Sequence, residues 1–247
     1  MEISEINAQA LSFDIELNKI KNSLNPKSFS WYPYGSMNNF VHLDKLLTGF
    51  NRNIFDPKKI KTIADIGSAD GDNAFFLESL GFEVDIIEYS PTNFNNLKGA
   101  KLLKKKLHSK VNIFEMDLDS QFKLLKKSYD LIFFLGTLYH LKNPYYALET
   151  LSRFSKYCLL STRVTKFAPN KRTNLSKFSL AYLVDEKETN NDPTNYWMFT
   201  SVGLKRILKR TGWEILDYMT VGNTENSDPV TKKGDERAFC LIKSFVF

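Results

Sequence analysis

In "IADIGSADGDNAFFLESLG", Ile63 to Gly81, two carboxylates stand in or beside a loop of small residues: Asp65 and Asp70, with Gly67, Ser68, Ala69 and Gly71. The apolar run before the loop reads as a strand and the amphipathic run after it as a helix closed by Gly81. A strand that ends in a glycine-bearing turn before a helix offers backbone N–H groups and lets a ligand reach the main chain. Nucleotide loops of the Walker type add a Lys and a Ser or Thr after the glycines, and no such pair follows here. The dinucleotide pattern G-x-G-x-x-G is also unmatched. Two acids in the turn would repel a pyrophosphate, whereas they suit a ligand with a cationic end and sugar hydroxyls.

Further acids fit the same ligand. Glu88 ends the next strand-like run, 23 residues beyond Asp65, about where an acidic side chain reaches ribose hydroxyls in doubly wound sheets. Asp117 ends the third strand-like run and could accept from an adenine amino group. A nucleoside bearing an aminoacyl sulfonium answers all of these features, which points to S-adenosylmethionine. Tyr89 beside Glu88, Leu118 beside Asp117 and Gly136 after the fourth strand complete the expected cofactor-binding set.

The chain here resembles the class I S-adenosylmethionine-dependent methyltransferases, whose loop reads acidic-x-Gly-x-Gly-x-Gly. "DIGSADG" matches at Asp65, Gly67 and Gly71 and departs at Ala69, where the middle Gly is replaced. Other stretches, "LGTLYHLKNP", "NYWMFTSVGLKRILKRTGW" and "DERAFCLIKS", resemble the tRNA wobble-uridine carboxymethyltransferase branch and its uncharacterised relatives. That resemblance implies that Tyr139 and Arg237 line the region of the substrate and cofactor tail, and Trp31 matches a Trp of the branch. Five positions later the branch has a Lys that pairs with the extra carboxylate of its modified cofactor, and this chain has Ser36. Losing such a charge-assisted bond costs about 1.5 to 3 kcal/mol, so ordinary S-adenosylmethionine is expected. The branch also has a longer N-terminal region than precedes Trp31 here, so its tRNA substrate does not carry over.

Displacement at a sulfonium methyl needs alignment of nucleophile and methyl, with a general base if the acceptor is a hydroxyl. His140 is the candidate base, since it follows Tyr139 on the loop after the fourth strand, where crevices in such sheets open. A His there could also merely orient the loop. His42 and His108 look ordinary, and no His, Asp or Glu grouping has metal spacing, so no metal is expected. The expected activity is methyl transfer to an oxygen or nitrogen of a small-molecule or sugar-containing acceptor. The alternatives are tRNA modification and a noncatalytic cofactor-binding module. A nicotinamide-dependent oxidoreductase is disfavoured by the acidic loop.

These residues must be positioned by a strand-helix alternation. From Ile3 the apolar residues Ile6, Ala10, Phe13, Leu17, Ile20 and Leu24 recur at spacings of three and four, predicting one helix that "NP" stops. An aromatic linker with Trp31, Tyr32 and Tyr34 follows, usable as a lid or as packing, and then a helix from Asn39 to about Leu47. Ser90 and Pro91 predict a helix start running into "KGAKLLKKKL", whose lysines read as a solvated face against Phe94, Leu97 and Leu103. "VNIFEMD", "YDLIFFLG", "KYCLLSTRV", "WEILDYMTV" and "RAFCLIKSFVF" read as strands three to seven. The expected fold is therefore α/β: a doubly wound, mostly parallel seven-stranded sheet whose last two strands pair antiparallel. Residues 1–58 are read as a helical extension with the aromatic linker, and 59–247 as the methyltransferase domain with an insertion at about 166–195.

With 247 residues, 43% of them hydrophobic, the chain can bury one substantial core. Its net charge of +6 would suit an anionic partner but cannot choose between nucleic acid and a phosphorylated metabolite. A small-molecule acceptor is expected ahead of tRNA, and the oligomeric state is left open. Cys158 and Cys240 sit in apolar runs without zinc or disulfide spacing, as expected of buried thiols in a reducing cytoplasm. No apolar run approaches the roughly 18 residues of a membrane span, and cytoplasmic localisation is expected.

Overall fold

The three-and-four spacing after Ile3 does produce one long helix, α1 (Ile3–Leu24), with Ile3, Ile6, Ala10 and Leu17 buried along one side. The computed structural model describes residues 1–124, 126 and 128–247. They form two units, one of Met1–Asp117 with Tyr129–Phe133, the other of Leu118–Ser128 with Phe134–Phe247.

In the first unit α1 is followed by α2 (Asn39–Leu46), β1 (Thr62–Ile66), α3 (Asp72–Ser79), β2 (Glu83–Glu88), α4 (Lys98–Lys106) and β3 (Asn112–Glu115). It also takes the first five residues of β4 (Tyr129–Leu135). The strands lie in the order β3-β2-β1-β4, all parallel, with Asp65 of β1 opposite both Ile86 and Phe133. Parallel neighbours force helical crossovers, so the carboxyl ends of β1 and β2 share one edge, where the loops after them open. Aromatic rings join the helices to this sheet: Phe76 of α3 meets Phe13 at 5.4 Å and Phe40 at 5.0 Å, and Phe40 meets Phe133 at 6.0 Å.

The helix expected at Ser90 begins eight residues later, at Lys98. Two asparagines hold the intervening chain in turns. Asn93 Oδ1 accepts from the amides of Asn95 and Leu97, and Asn95 Oδ1 accepts from Gly99. Such local bonds compete with helix, and Asn96 and Leu97 take left-handed φ of 56° and 63°. Ser90 leaves the cap role and donates to Glu115. Leu97 and Leu103 are buried as expected, but Phe94 is exposed.

The second unit carries α5 (Pro144–Ser152), β5 (Ser155–Val164), β6 (Ala181–Leu183), β7 (Trp197–Phe199), α6 (Ser201–Arg210), β8 (Trp213–Gly222) and β9 (Glu236–Ser244). β5 pairs parallel with β7, which pairs antiparallel with β6. β9 runs antiparallel between β5 and β8, so the expected antiparallel final pair is present. All seven expected strands form, and β6 and β7 are additional. The segment read as an insertion contains β6, ends just before β7, and is anchored by Thr189, whose amide donates to Val230 O and whose hydroxyl donates to Pro229 O. Cys158 and Cys240 are free, buried thiols, and burial drives both pKa values above the ordinary thiol range. Among the described residues, no helix is long and apolar enough to cross a membrane.

Candidate functional site

The loop after β1 is built on left-handed backbone. Gly67 and Gly71 take φ of 71° and 84°, and Ala69 takes 54°. The middle position of the family pattern thus keeps a conformation suited to glycine although it holds Ala, at a cost of roughly 1–2 kcal/mol. Gly71 could not be replaced in the same way, because a Cβ there would stand 2.9 Å from both Ile86 Cδ1 and Phe75 Cε2. The loop is clamped to the end of β2: Gly67 N donates to Ile87 O, Ala69 N to Glu88 Oε2, and Asn93 Nδ2 to Ala69 O.

Glu88 accepts from the amides of Ala69 at 3.1 Å and Tyr89 at 3.2 Å, one on each oxygen. Asp65 is 2% exposed, and its Oδ2 has no hydrogen-bond partner; the buried hydroxyl of Ser68 has none either. Burial first, then the charges of Glu88 and Asp72, push the Asp65 carboxyl up from 3.8 to about 8. Burial likewise raises Glu88, against the amides that hold its charged form. Asp117 lies just past Met116, whose amide still donates to Glu88 O, so Asp117 leaves β3 at the same sheet edge. Unpartnered buried polar atoms ask for a ligand that brings their bonds. The set fits S-adenosylmethionine: Glu88 and Asp117 would accept from the nucleoside, and Asp65 and Ser68 would face its cationic tail. The bound cofactor supplies an electrophilic methyl on sulfur.

Asp70, expected at the cofactor, is held by the protein itself. Its carboxylate is 1% exposed and is engaged by protein groups: Tyr32 N at 2.8 Å, Asn95 Nδ2 at 2.7 Å and Lys21 Nζ at 3.6 Å. It fastens the loop to the linker after α1 and to the turn before α4. Lys21 itself went unremarked in the sequence; its signal is an ammonium one position from the apolar stripe of α1. Trp31 packs rather than gating, donating Nε1 to Lys21 O and meeting Phe29 edge-on at 5.1 Å.

The second unit holds another polar group around a 3-10 turn, Leu138–His140, after β4. The Arg237 guanidinium stands 5.6 Å over the Tyr139 ring, whose centroid is 4.0 Å from that of His140. Gly136, at φ 77°, donates its amide to Ser161 O, and a Cβ on it would come 3.8 Å from Arg237 Nη1. Tyr139, His140, Arg237 and Gly136 are therefore neighbours, whereas Leu118 is buried in the same unit. Asp235 lies between two cations, 2.7 Å from Arg163 Nε and 3.5 Å from Arg237 Nε. Arg163, 4% exposed, was missed in the sequence, although a charge in the apolar run of β5 is the kind of residue that stays buried only when paired. His140 Nδ1 is 3.0 Å from both Thr194 O and Thr194 Oγ1, and that hydroxyl donates to Asp192 Oδ1 at 2.6 Å. Burial, reinforced by Arg237 and Arg163, lowers the His140 pKa below the usual 6.5 against the opposing pull of Thr194 and Asp192, so the ring is neutral at pH 7. No group of three or more metal-binding side chains occurs among the described residues.

No curated protein matches this sequence. Among solved structures, the N-terminal domain of EvdMO1, crystallised in the presence of SAH and D-fucose, is 15% identical over 93% of this chain and 95% of its own, with a TM-score of 0.62. The 1,6-didemethyltoxoflavin-N1-methyltransferase of Burkholderia thailandensis is 16% identical, covering 76% of this chain and 72% of its own, with a TM-score of 0.51. The [4+2]-cyclase SpnF is 10% identical over 98% of this chain and 97% of its own, with a TM-score of 0.56. At these identities the likeness is one of fold, and a fold can host unrelated chemistries. The model of the methyltransferase domain family matches residues 40–218, most of the chain. The chain belongs to the methyltransferase domain family, as an S-adenosylmethionine-dependent methyltransferase on the α/β Rossmann-like fold.

Proposed function

We propose that the protein methylates an oxygen or nitrogen of a small-molecule or sugar-containing acceptor, with His140 as general base and Tyr139 and Arg237 at the acceptor. The observation that carries this reading is the neighbourhood of Tyr139, His140 and Arg237 after β4, where a neutral imidazole stands beside an aromatic ring and a guanidinium. A neutral ring can take a proton from a hydroxyl or amine, and the guanidinium can hold an anionic or hydroxyl-bearing acceptor. Asp65, Ser68, Glu88 and Asp117 would bind the cofactor, as would Tyr89 and the backbone of Gly67 and Gly71.

A cavity of about 410 Å³, lined by Lys142, Tyr145, Trp197 and Phe199 among others, supports a small acceptor in the second unit. The solved structures point the same way, one having been crystallised with D-fucose and another with 1,6-didemethyltoxoflavin. The test is transfer of a labelled methyl from S-adenosylmethionine into fractionated metabolite extract. Labelled small molecules support the reading, and label appearing only in macromolecules refutes it.

Modification of a tRNA wobble uridine is the second reading. It is favoured by the contact between Tyr139 and Arg237, the two residues that the branch resemblance assigns to one region. It requires tRNA binding that weakens steeply with salt, because phosphate contacts release counterions.

A further inference from the structure

The hydroxyl of Thr194 has one proton, and it is committed to Asp192 Oδ1 at 2.6 Å. Both Thr194 atoms at 3.0 Å from His140 Nδ1, the hydroxyl oxygen and the backbone carbonyl, are therefore acceptors toward that nitrogen. A neutral imidazole has one N–H. We infer that Asp192 and Thr194 hold His140 as the Nδ1–H tautomer, so that Nε2 carries the lone pair and is the atom that takes the acceptor's proton. This rests on the reading of His140 as the base.

The geometry makes Thr194 and Asp192 positioning residues delivered by the segment that precedes β7. That segment is fastened close by: Asn195 Nδ2 donates to Thr189 O, and Tyr196 N donates to Tyr139 O at 2.9 Å. The second of these bonds ties the loop bearing Thr194 to the turn bearing His140, which fixes the ring's distance to its two acceptors. In the transfer, the acceptor's lone pair forms the bond to the methyl carbon and the carbon–sulfur bond breaks with its pair left on sulfur. The acceptor's proton moves to Nε2, leaving a cationic ring that donates from both nitrogens. Asp192 is then one hydroxyl away from the new charge, while Arg237 of β9 and Arg163 of β5 oppose it.

The chain has three histidines, so nitrogen-15 NMR of the histidine-labelled full protein at pH 7.5 can resolve the ring, with H140Q identifying its signals. The expected pattern is an Nδ1–H ring with an unprotonated Nε2. Thr194→Val should lower kcat on the order of tenfold to 100-fold by loosening the ring, leave cofactor affinity unchanged, and be rescued by Thr194→Ser. Asp192→Asn should move the acidic limb of kcat/KM to lower pH, because the carboxylate that favours the imidazolium is gone while Arg237 and Arg163 remain. A ring protonated at Nε2, or full turnover in Thr194→Val, overturns the assignment. An Nδ1–H ring together with full turnover in H140Q overturns the reading of His140 as the base, and with it the catalytic meaning of the tautomer.

Discussion

Lys21 Nζ lies 2.8 Å from Asp72 Oδ2, with both side chains more than nine-tenths buried, and so ties α1 to the first turn of the helix that follows the cofactor loop. Burial raises the Asp72 carboxyl despite the ammonium beside it, and its Oδ1 has no partner. Removing one partner of a buried pair strands the other charge. Lys21→Met should therefore destabilise the protein by about 3–5 kcal/mol. The double variant Lys21→Met with Asp72→Asn should recover part of the loss, as read by urea denaturation. Equal midpoints for the single variant and the parent would show that the pair does not hold the helix.

Ala69→Gly should raise stability. The residue sits at φ 54°, and relief of that strain of roughly 1–2 kcal/mol exceeds the 0.4–1 kcal/mol that glycine's extra freedom in the unfolded chain takes back. A rise in Tm of a few degrees, with cofactor affinity held or improved, is the expected result. Gly71→Ala should do the opposite, since it meets both an unfavourable φ and two side chains at 2.9 Å.

Cofactor binding should release a proton. The unliganded Asp65 carboxyl, raised from 3.8 to about 8, is mostly protonated at neutral pH, and a cationic ligand favours its ionised form. Affinity should climb between pH 6 and 8 and level off above, and titration calorimetry in two buffers of different ionisation enthalpy should show the released proton. Asp65→Asn should flatten this slope. For the unliganded protein the sign reverses: from about pH 4 to 8 the folded state holds more protons at Asp65 than the unfolded state, so its contribution to stability falls as pH rises.

Arg237→Ala should raise the acceptor KM about tenfold, the equivalent of 1.4 kcal/mol, while leaving the Kd for S-adenosylhomocysteine unchanged. A weakened Kd would move Arg237 to the cofactor side. Asp235→Asn should act differently, because it leaves Arg163 buried beside a neutral amide, and a fall in Tm is expected before any change in KM.

Most of the framework was legible because it rests on long, strongly patterned segments. The stripe from Ile6 to Leu24 is a helix, and the seven apolar runs are strands, since period and length decide such segments. The start of α4 was misread because Ser90 and Pro91 form a good local start signal, while the side-chain bonds of Asn93 and Asn95 that override it depend on partners such as Ala69 and Asp70. β6 and β7 have three residues each, too few to show a period. At the site, Asp65 and Glu88 were marked by spacing, whereas Lys21, Arg163, Asp192 and Thr194 acquire meaning only from what the fold puts beside them.

Asp70 takes Lys21, the amide of Tyr32 and the amide group of Asn95 onto one carboxylate, three residues past Gly67. The front of the polypeptide is therefore a brace of the glycine turn and no detachable ornament. Trimming it away up to Tyr32 would bare two sealed acids, Asp70 and Asp72, at the root of the glycine turn, and the turn itself would be the first thing to loosen.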